Sequence, residues 1–311
     1  MGAIKQMEDK KKLEAQKKVV EFFNNLQWQF ASQTLYKNFI NAVEATNEGE
    51  YEKIQYCEIF EIIDKVMKSS DRQIMKRIVP ENTRFYRARE ISVDDYKQNR
   101  KGISIDANYT VTGYDEINSK EAPIGVSGAG RNNIYGMPYL YVAEDEVTAC
   151  VEVKPDVNSL ISLAEFQTKV PLTVIDFSQN KEFSQETVDD CGIAVGDLIT
   201  KLMFEYSRPA KSERDYRATQ LISDYFRKMG FDGICYKSFN TWKENFTFFN
   251  CHNSLIKFVN SRIIMHQYRK DVFYDINEKR ILESIDEEIV SFNNEETIKK
   301  RLEKIRNKFN E

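Results

Sequence analysis

Residues 127–152 bring together an arginine, a tyrosine and a glutamate in an arrangement suited to an anionic ligand. The loop from Ser127 to Asn133 sets Gly128 and Gly130 beside Arg131 and Asn132, so exposed backbone N–H groups and a guanidinium fork can converge on phosphate oxygens. A short apolar strand ends on Tyr141, and Glu152 follows eleven positions later in an otherwise apolar run. Taken singly, each part has an ordinary structural reading. Gly-Arg-Asn-Asn is a common turn, a tyrosine closing a strand is core with its hydroxyl at the edge, and a glutamate is a solvated face residue.

Two further segments supply context. In Arg84-Phe85-Tyr86-Arg87-Ala88-Arg89 aromatic and basic residues alternate after a turn at Pro80. This predicts an opening strand with Phe85, Arg87 and Arg89 on one face, directing an arginine at a pocket. Phe231 to Ser238 reads as a turn feeding a short buried strand that ends on a hydroxyl, and strand ends are where binding sites collect.

The elements that must position these residues fall into two regimes. Residues 4–18 are lysine-rich, and Val19, Val20, Phe22, Phe23, Leu26, Trp28 and Phe30 then recur at helical spacing, continued by Leu35, Phe39, Ile40 and Val43. Asn47 to Glu50 breaks the pattern, which Ile54, Ile59, Phe60, Ile63 and Val66 resume; three or more packed helices are predicted before residue 80. From residue 82 the pattern is α+β. Val170 to Phe177 and Ile234 to Tyr236 read as buried strands, and Asp215 to Met229 as an amphipathic helix stopped by Gly230, with Tyr216 and Gln220 one turn apart as pocket-lining candidates. Residues 276–311 read as a charged helical tail with Ile281, Leu282, Ile285, Ile289 and Leu302 as spaced apolar points.

Over residues 82–275 these motifs, in their order, resemble the RES domain family, named for an arginine, a glutamate and a serine. They are Phe-Tyr-Arg-Ala-Arg at 85–89, Gly-Arg-Asn-x-x-x-Gly-x-Pro-x-Leu-Tyr-x-Ala at 130–143 with Glu152 behind it, Phe-Asp-Gly-Ile-x-Tyr-x-Ser at 231–238, and the strand opening at Asn245. The resemblance implies an ADP-ribosyltransferase-like fold and NAD+ as substrate, with no resident cofactor. It matches Arg87 and Arg131 to the family's arginines, Tyr141 to its tyrosine, Glu152 to its glutamate and Ser238 to its serine. With Asn132, Tyr216 and Asn245 these residues form the expected catalytic and substrate-binding set. The stretches 97–127 and 152–231 are longer than a minimal RES domain and imply specialised loops around the pocket. The helices before residue 80 resemble the HEPN-like domains joined to RES domains, but no histidine precedes His252, so the Arg-x-x-x-x-His nuclease motif is absent. The implied division is a helical domain at 1–80, a RES domain at 81–275 and the tail.

Cleaving the nicotinamide bond asks little of acid and base groups, because nicotinamide leaves neutral from a cationic bond. The barrier is the oxocarbenium ion developing on ribose, which a carboxylate stabilises; that is the role implied for Glu152. Arg87 and Arg131 would hold the pyrophosphate, Tyr141 would stack on nicotinamide or ribose, and Ser238 would bond the ribose or the carboxylate. The favoured reading is an NAD+ glycohydrolase effector in a toxin–antitoxin or phage-defence setting. An ADP-ribosyltransferase, or a non-catalytic nucleotide-sensing module, is the alternative.

Composition excludes other chemistries. Two histidines and five cysteines without a Cys-x-x-Cys pair argue against a metal site, and neither a Gly-x-x-x-x-Gly-Lys-Ser/Thr loop nor a Gly-x-Gly-x-x-Gly fingerprint is present. A net charge of −4 argues against a nucleic-acid partner, and no apolar run reaches membrane-spanning length. The expected setting is the cytoplasm, with an antitoxin or regulatory protein, or a second copy bound through the helical leader, as partners.

Overall fold

A computed structural model describes residues 2–46, 54, 57–98, 100–105, 111–250, 254–266, 272–275 and 280–283. The chain opens with helices α1 (Gly2–Ala45) and α2 (Glu58–Lys68), a 3-10 turn at Ser70–Gln73, and strands β1 (Lys76–Val79) and β2 (Arg84–Glu90). A short helix α3 (Val93–Lys97), a small hairpin of β3 (Ser104–Ile105) and β4 (Val111–Thr112), and α4 (Glu116–Ser119) follow. Next come β5 (Leu140–Ala143), α5 (Glu146–Glu152), β6 (Leu160–Thr168) and β7 (Leu172–Phe177). Helices α6 (Gln185–Cys191), α7 (Val195–Ser207) and α8 (Arg217–Lys228) lead to β8 (Gly233–Lys237), β9 (Glu244–Phe248) and β10 (Ile256–Met265). A separate hairpin of β11 (Val272–Asp275) and β12 (Arg280–Glu283) ends the described chain.

Eight strands form one sheet in the order β1-β7-β8-β9-β5-β2-β6-β10. All its pairs are antiparallel except β7 with β8, whose parallel pairing requires the long crossover through α6, α7 and α8. Alternation separates two cores. One sheet face carries Ile175, Phe177, Ile234 and Tyr236 against Leu198, Ile199, Leu202, Ala218, Ile222 and Phe226 of α7 and α8. The other face buries Phe85, Val142, Phe166, Val174, Cys235, Phe246 and Phe248 in a cluster drawn entirely from strands.

The leader departs from expectation in two ways. Before residue 80 the described residues contain two α-helices rather than three or more. Neither glycine nor proline occurs between Ala3 and Thr46, so nothing interrupts the ladder of α1, and the lysine-rich stretch continues the same helix. The break expected at Asn47 to Glu50 lies outside the described residues. Among the described residues, the leader also shows no core separate from the sheet's. Leu35, Phe39 and Val43 of α1 and Ile59, Ile62, Ile63 and Val66 of α2 share one cluster with the sheet and with α7 and α8. Beyond this shared core, β1 pairs with β7, so the boundary expected at residue 80 cuts through a packed unit.

Other expectations were met closely. The predicted opening strand is β2, the buried strands are β7 and β8, and the amphipathic helix is α8, followed by Gly230 in the left-handed region at φ 88°. The tail differs: residues 280–283, expected as helix, form β12, whose backbone pairs antiparallel with β11 in a hairpin ladder. The remainder of the tail lies outside the described residues. Among the described residues, no helix is long and apolar enough to cross a membrane.

A shared core predicts cooperative unfolding. Phe39→Ala, at a side chain 1% exposed, is expected to lower stability by about 3–5 kcal/mol. Urea denaturation followed by far-ultraviolet dichroism and by tryptophan fluorescence would shift as one transition. Two separated transitions would mean that the leader folds independently.

A second prediction concerns acid. Burial pushes the Asp176 carboxyl up, but the Lys181 ammonium at 2.8 Å and the Ser178 hydroxyl and N–H bring it below the usual carboxylate range. A folded carboxyl with a depressed pKa contributes stability above the unfolded value of about 4 and loses it as pH falls through the lower folded value. Asp176→Ala leaves the buried Lys181 uncompensated and is expected to cost about 3–5 kcal/mol at neutral pH. Urea midpoints measured over an acid pH series should fall less steeply for the variant than for the parent.

Candidate active site

The site is built on the sheet face that carries the helices. Tyr141 pairs with Thr247, Ala143 with Asn245, and Tyr236 with Asn245, so Tyr141, Thr247, Asn245 and Tyr236 project to one side. Ser238, two residues beyond Tyr236, continues that side just past the end of β8. Phe-Asp-Gly at 231–233 brings β8 this close to β9: a Cβ at Gly233 would stand 2.4 Å from the Thr247 carbonyl oxygen. Asp232 Oδ2 accepts from the Thr173 N–H at 2.6 Å and pins the strand entry.

Glu152 is the last residue of α5, a helix capped by Asp145, whose Oδ1 accepts from the Thr148 N–H. A helix C-terminus is the unfavourable end for a carboxylate. Two neutral donors offset this: Ser238 Oγ donates to Glu152 Oε1 at 2.6 Å and Asn245 Nδ2 donates to the same oxygen at 2.9 Å. Ser238 and Asn245 are buried while Glu152 is exposed. The backbone N–H groups of Asn240 and Thr241 approach Ser238 Oγ at 3.2 and 3.3 Å, so its proton is directed at the carboxylate. Among the described residues, Glu152 Oε2 has no hydrogen-bond partner, on a side chain that is itself exposed.

The loop at 127–133 is braced from three directions. The Tyr141 hydroxyl donates to Asn133 Oδ1 at 2.6 Å and accepts from the Asn132 N–H at 2.9 Å. Gln220 Nε2 donates to the Gly130 carbonyl at 2.8 Å, and Thr219 Oγ donates to the Arg131 carbonyl, both from α8. Asn132 Nδ2 donates to Thr247 Oγ1 at 2.5 Å. Gly130 is required by close approach: a Cβ there would lie 2.6 Å from Asn133 Oδ1 and 2.8 Å from the Tyr141 hydroxyl. The backbone N–H groups of Gly130 and Asn132 are therefore spent inside the loop, on the Asn133 carbonyl and on Tyr141, and are not the anion donors the sequence suggested.

What the loop presents is the Arg131 guanidinium. It lies 5.1 Å from the ring centre of Tyr216 and 6.0 Å from that of Tyr236, and Nη1 donates to the Glu205 carbonyl at 3.2 Å. The buried Asn132 Oδ1 and Ser127 Oγ have no protein partner among the described residues, a costly state unless a bound group satisfies them.

The Tyr236 hydroxyl lies in the field of both charged groups. Burial raises its pKa to about 12, the Arg131 charge opposes the rise and the Glu152 carboxylate adds to it. At neutral pH it is a protonated phenol beside both. Burial likewise pushes the Tyr141 hydroxyl well above the usual phenol range, so it keeps the proton it donates to Asn133.

The structure thus brings Arg131, Asn132, Tyr141, Glu152, Tyr216, Ser238 and Asn245 onto one side of the sheet. Arg87 is not brought to them. It leaves β2 on the Phe85 face, opposite Tyr141 and Asn245, and Nη1 donates to the carbonyls of Ser119, at 2.6 Å, and Lys120. Arg89 joins it on the Lys120 carbonyl, so the two arginines clasp the turn after α4. Sequence reasoning did not single out Tyr236, Thr219 or Thr247. Tyr236 sat inside the quoted motif, two residues before Ser238 on the same strand face, which was the available signal. Among the described residues, no group of three or more His, Cys, Asp or Glu is placed to hold a metal ion.

A family model described as RES domain matches residues 109–269, more than half of the chain. The chain belongs to the RES domain family. The match contains Arg131, Tyr141, Glu152, Ser238 and Asn245, whereas Arg87 lies before it. No curated protein matches the chain. Among solved structures, a chain from the crystal structure of the M. tuberculosis MbcT-MbcA toxin-antitoxin complex is 11% identical, with a TM-score of 0.34, covering 66% of this chain and 92% of that one.

The RES site also separates two readings of Tyr141. Tyr141→Phe keeps the ring but leaves the Asn132 N–H and Asn133 Oδ1 without their partner, which is expected to cost about 1–3 kcal/mol. A thermal melt of the variant indistinguishable from the parent would show that the ring alone matters.

Proposed function

We propose that this RES domain protein is an NAD+ glycohydrolase that cleaves NAD+ to nicotinamide and ADP-ribose. The observation that carries the reading is the Glu152 carboxylate. It is exposed, held through one oxygen by the buried Ser238 and Asn245, and shares a sheet face with a guanidinium braced by two tyrosines.

In this mechanism Arg131 binds the pyrophosphate of NAD+ and fixes the dinucleotide across the face, with Tyr216 beneath the guanidinium. Oε2 of Glu152 faces the ribose. The bond from the anomeric carbon to the nicotinamide nitrogen breaks, its electron pair leaves with neutral nicotinamide, and the carboxylate stabilises the positive charge left on ribose. Water then forms the new bond to the anomeric carbon and releases its proton to solvent. Ser238 and Asn245 are positioning residues: by occupying Oε1 they aim Oε2. Tyr236, kept protonated by burial, adds no charge of its own to a site that already holds the carboxylate and the arginine.

Unchecked loss of NAD+ stops growth, so the reading extends to an effector of the cytoplasm, in a toxin–antitoxin or phage-defence setting, with a neutralising protein as partner. Family membership supports it.

The test is chromatography of NAD+ incubated with the purified protein. Free nicotinamide and ADP-ribose in equal amounts are expected, with turnover lowered by roughly 10²–10³ in Glu152→Gln and unaltered folding. Nicotinamide without free ADP-ribose would replace hydrolysis by transfer to a macromolecule. No consumption of NAD+ by the parent would sink the enzymatic reading and leave nucleotide sensing.

A further inference from the structure

The middle of α1 carries an apolar stripe that its own body cannot cover. At about 100° per residue, Val19, Phe22, Phe23, Leu26 and Phe30 fall within roughly 100° of arc. Each is between 45% and 73% exposed. The residues that seat α1 on the body, Ser32, Leu35, Phe39 and Val43, are buried and centre roughly 150° away on the same helix. Ser32 Oγ donates to the Ala194 carbonyl at 2.8 Å, and the Tyr36 hydroxyl donates to the Glu205 carboxylate. Rolling the helix to bury the stripe would expose the seat and break both bonds. The two apolar faces of this one helix therefore serve different neighbours.

We infer that the stripe is a self-association surface, and that a second copy of this chain covers it through its own α1. Three features select that occupant. The first is size: three phenylalanines at 60–73% exposure offer about 400 Å² at ~200 Å² per ring. Val19 and Leu26 add to this, so two facing copies offer about the 1,000 Å² in total that a specific interface needs.

The second feature is charge. Gln16 and Gln29 flank the stripe, Gln33 and then Lys37 continue its arc beyond Phe30, and Glu14, Lys17, Lys18 and Glu21 fall outside it. A seam rimmed by amides, which both donate and accept, has nothing to select a charged partner and nothing to repel its own copy. The third is spacing: apolar residues at intervals of three and four are those that interdigitate between paired helices. Phe22 and Phe23 already meet edge to face, with ring centres 5.8 Å apart, and present a broad apolar ridge.

The pairing is independent of the catalytic reading, since the stripe touches none of the residues around Glu152. The test uses the full chain. Light scattering on a sizing column across the micromolar range is expected to give twice the 36.5 kDa chain mass. Phe23→Gln combined with Leu26→Gln is expected to weaken the dimer by about 100-fold and return the mass to 36.5 kDa. Both positions are exposed, so the variant's dichroism and melting temperature should match those of a monomeric parent at high dilution. A parent that stays monomeric at every concentration overturns the proposal, including the case where another protein or another segment of the chain covers the stripe. A variant that remains dimeric overturns it equally.

Discussion

A carboxylate held through one oxygen is the constraint on which the arrangement depends. Glu152 ends a short helix, at the pole where backbone carbonyls repel negative charge. It is kept in one orientation by Ser238 and Asn245, themselves buried. Those donors come from the end of β8 and the start of β9, so their convergence follows from strand register. Slipping either strand by one residue would turn Ser238 or Asn245 to the opposite face. The ladder pairing Tyr236 with Asn245 and Ala143 with Asn245 therefore fixes the carboxylate as firmly as any bond it makes.

Arg131 depends on a different kind of support. Its loop is irregular backbone held by side chains: the Tyr141 hydroxyl on one side, Thr219 and Gln220 on another, Thr247 from below. Tyr141, Thr219 and Gln220 each satisfy a backbone group that would otherwise be costly to bury, and Thr247 holds the Asn132 side-chain amide. The result is a cation on a rigid platform, while the anion stands on two neutral donors. Tyr236, a phenol that stays protonated, lies beside both.

The leader is tied to this platform. Tyr36 of α1 donates to the Glu205 side chain, and the Glu205 carbonyl accepts from Arg131. Burial and the Glu205 carboxylate raise the Tyr36 pKa, so the hydroxyl remains a donor. Two bonds thus separate the first helix from the arginine, and the apolar residues of α1 and α2 complete the core beneath α7 and α8. A helical segment readable as a separate domain is part of the wall that positions the site.

Patterns among near neighbours were enough for the local pieces. Alternation marked β2, β7 and β8, the glycine after α8 marked its end, and the order of Arg131, Tyr141, Glu152, Ser238 and Asn245 pointed to the family, because these depend on neighbours a few residues apart. Which of those residues meet follows from long-range packing. Arg87 has the same composition signal as Arg131, yet strand alternation sends it to the other face, where it clasps the carbonyls of Ser119 and Lys120. The glycines of the loop suggested free N–H donors, but the Tyr141 hydroxyl and the Asn133 carbonyl claim two of them. Periodicity in α1 reads as a single apolar pattern. That residues 32–43 seat on the body while the stripe at 19–30 faces outward depends on the position of α7, which no local signal encodes. Register, face and partner are set between segments far apart in the chain, and that is the physical reason they were not legible beforehand.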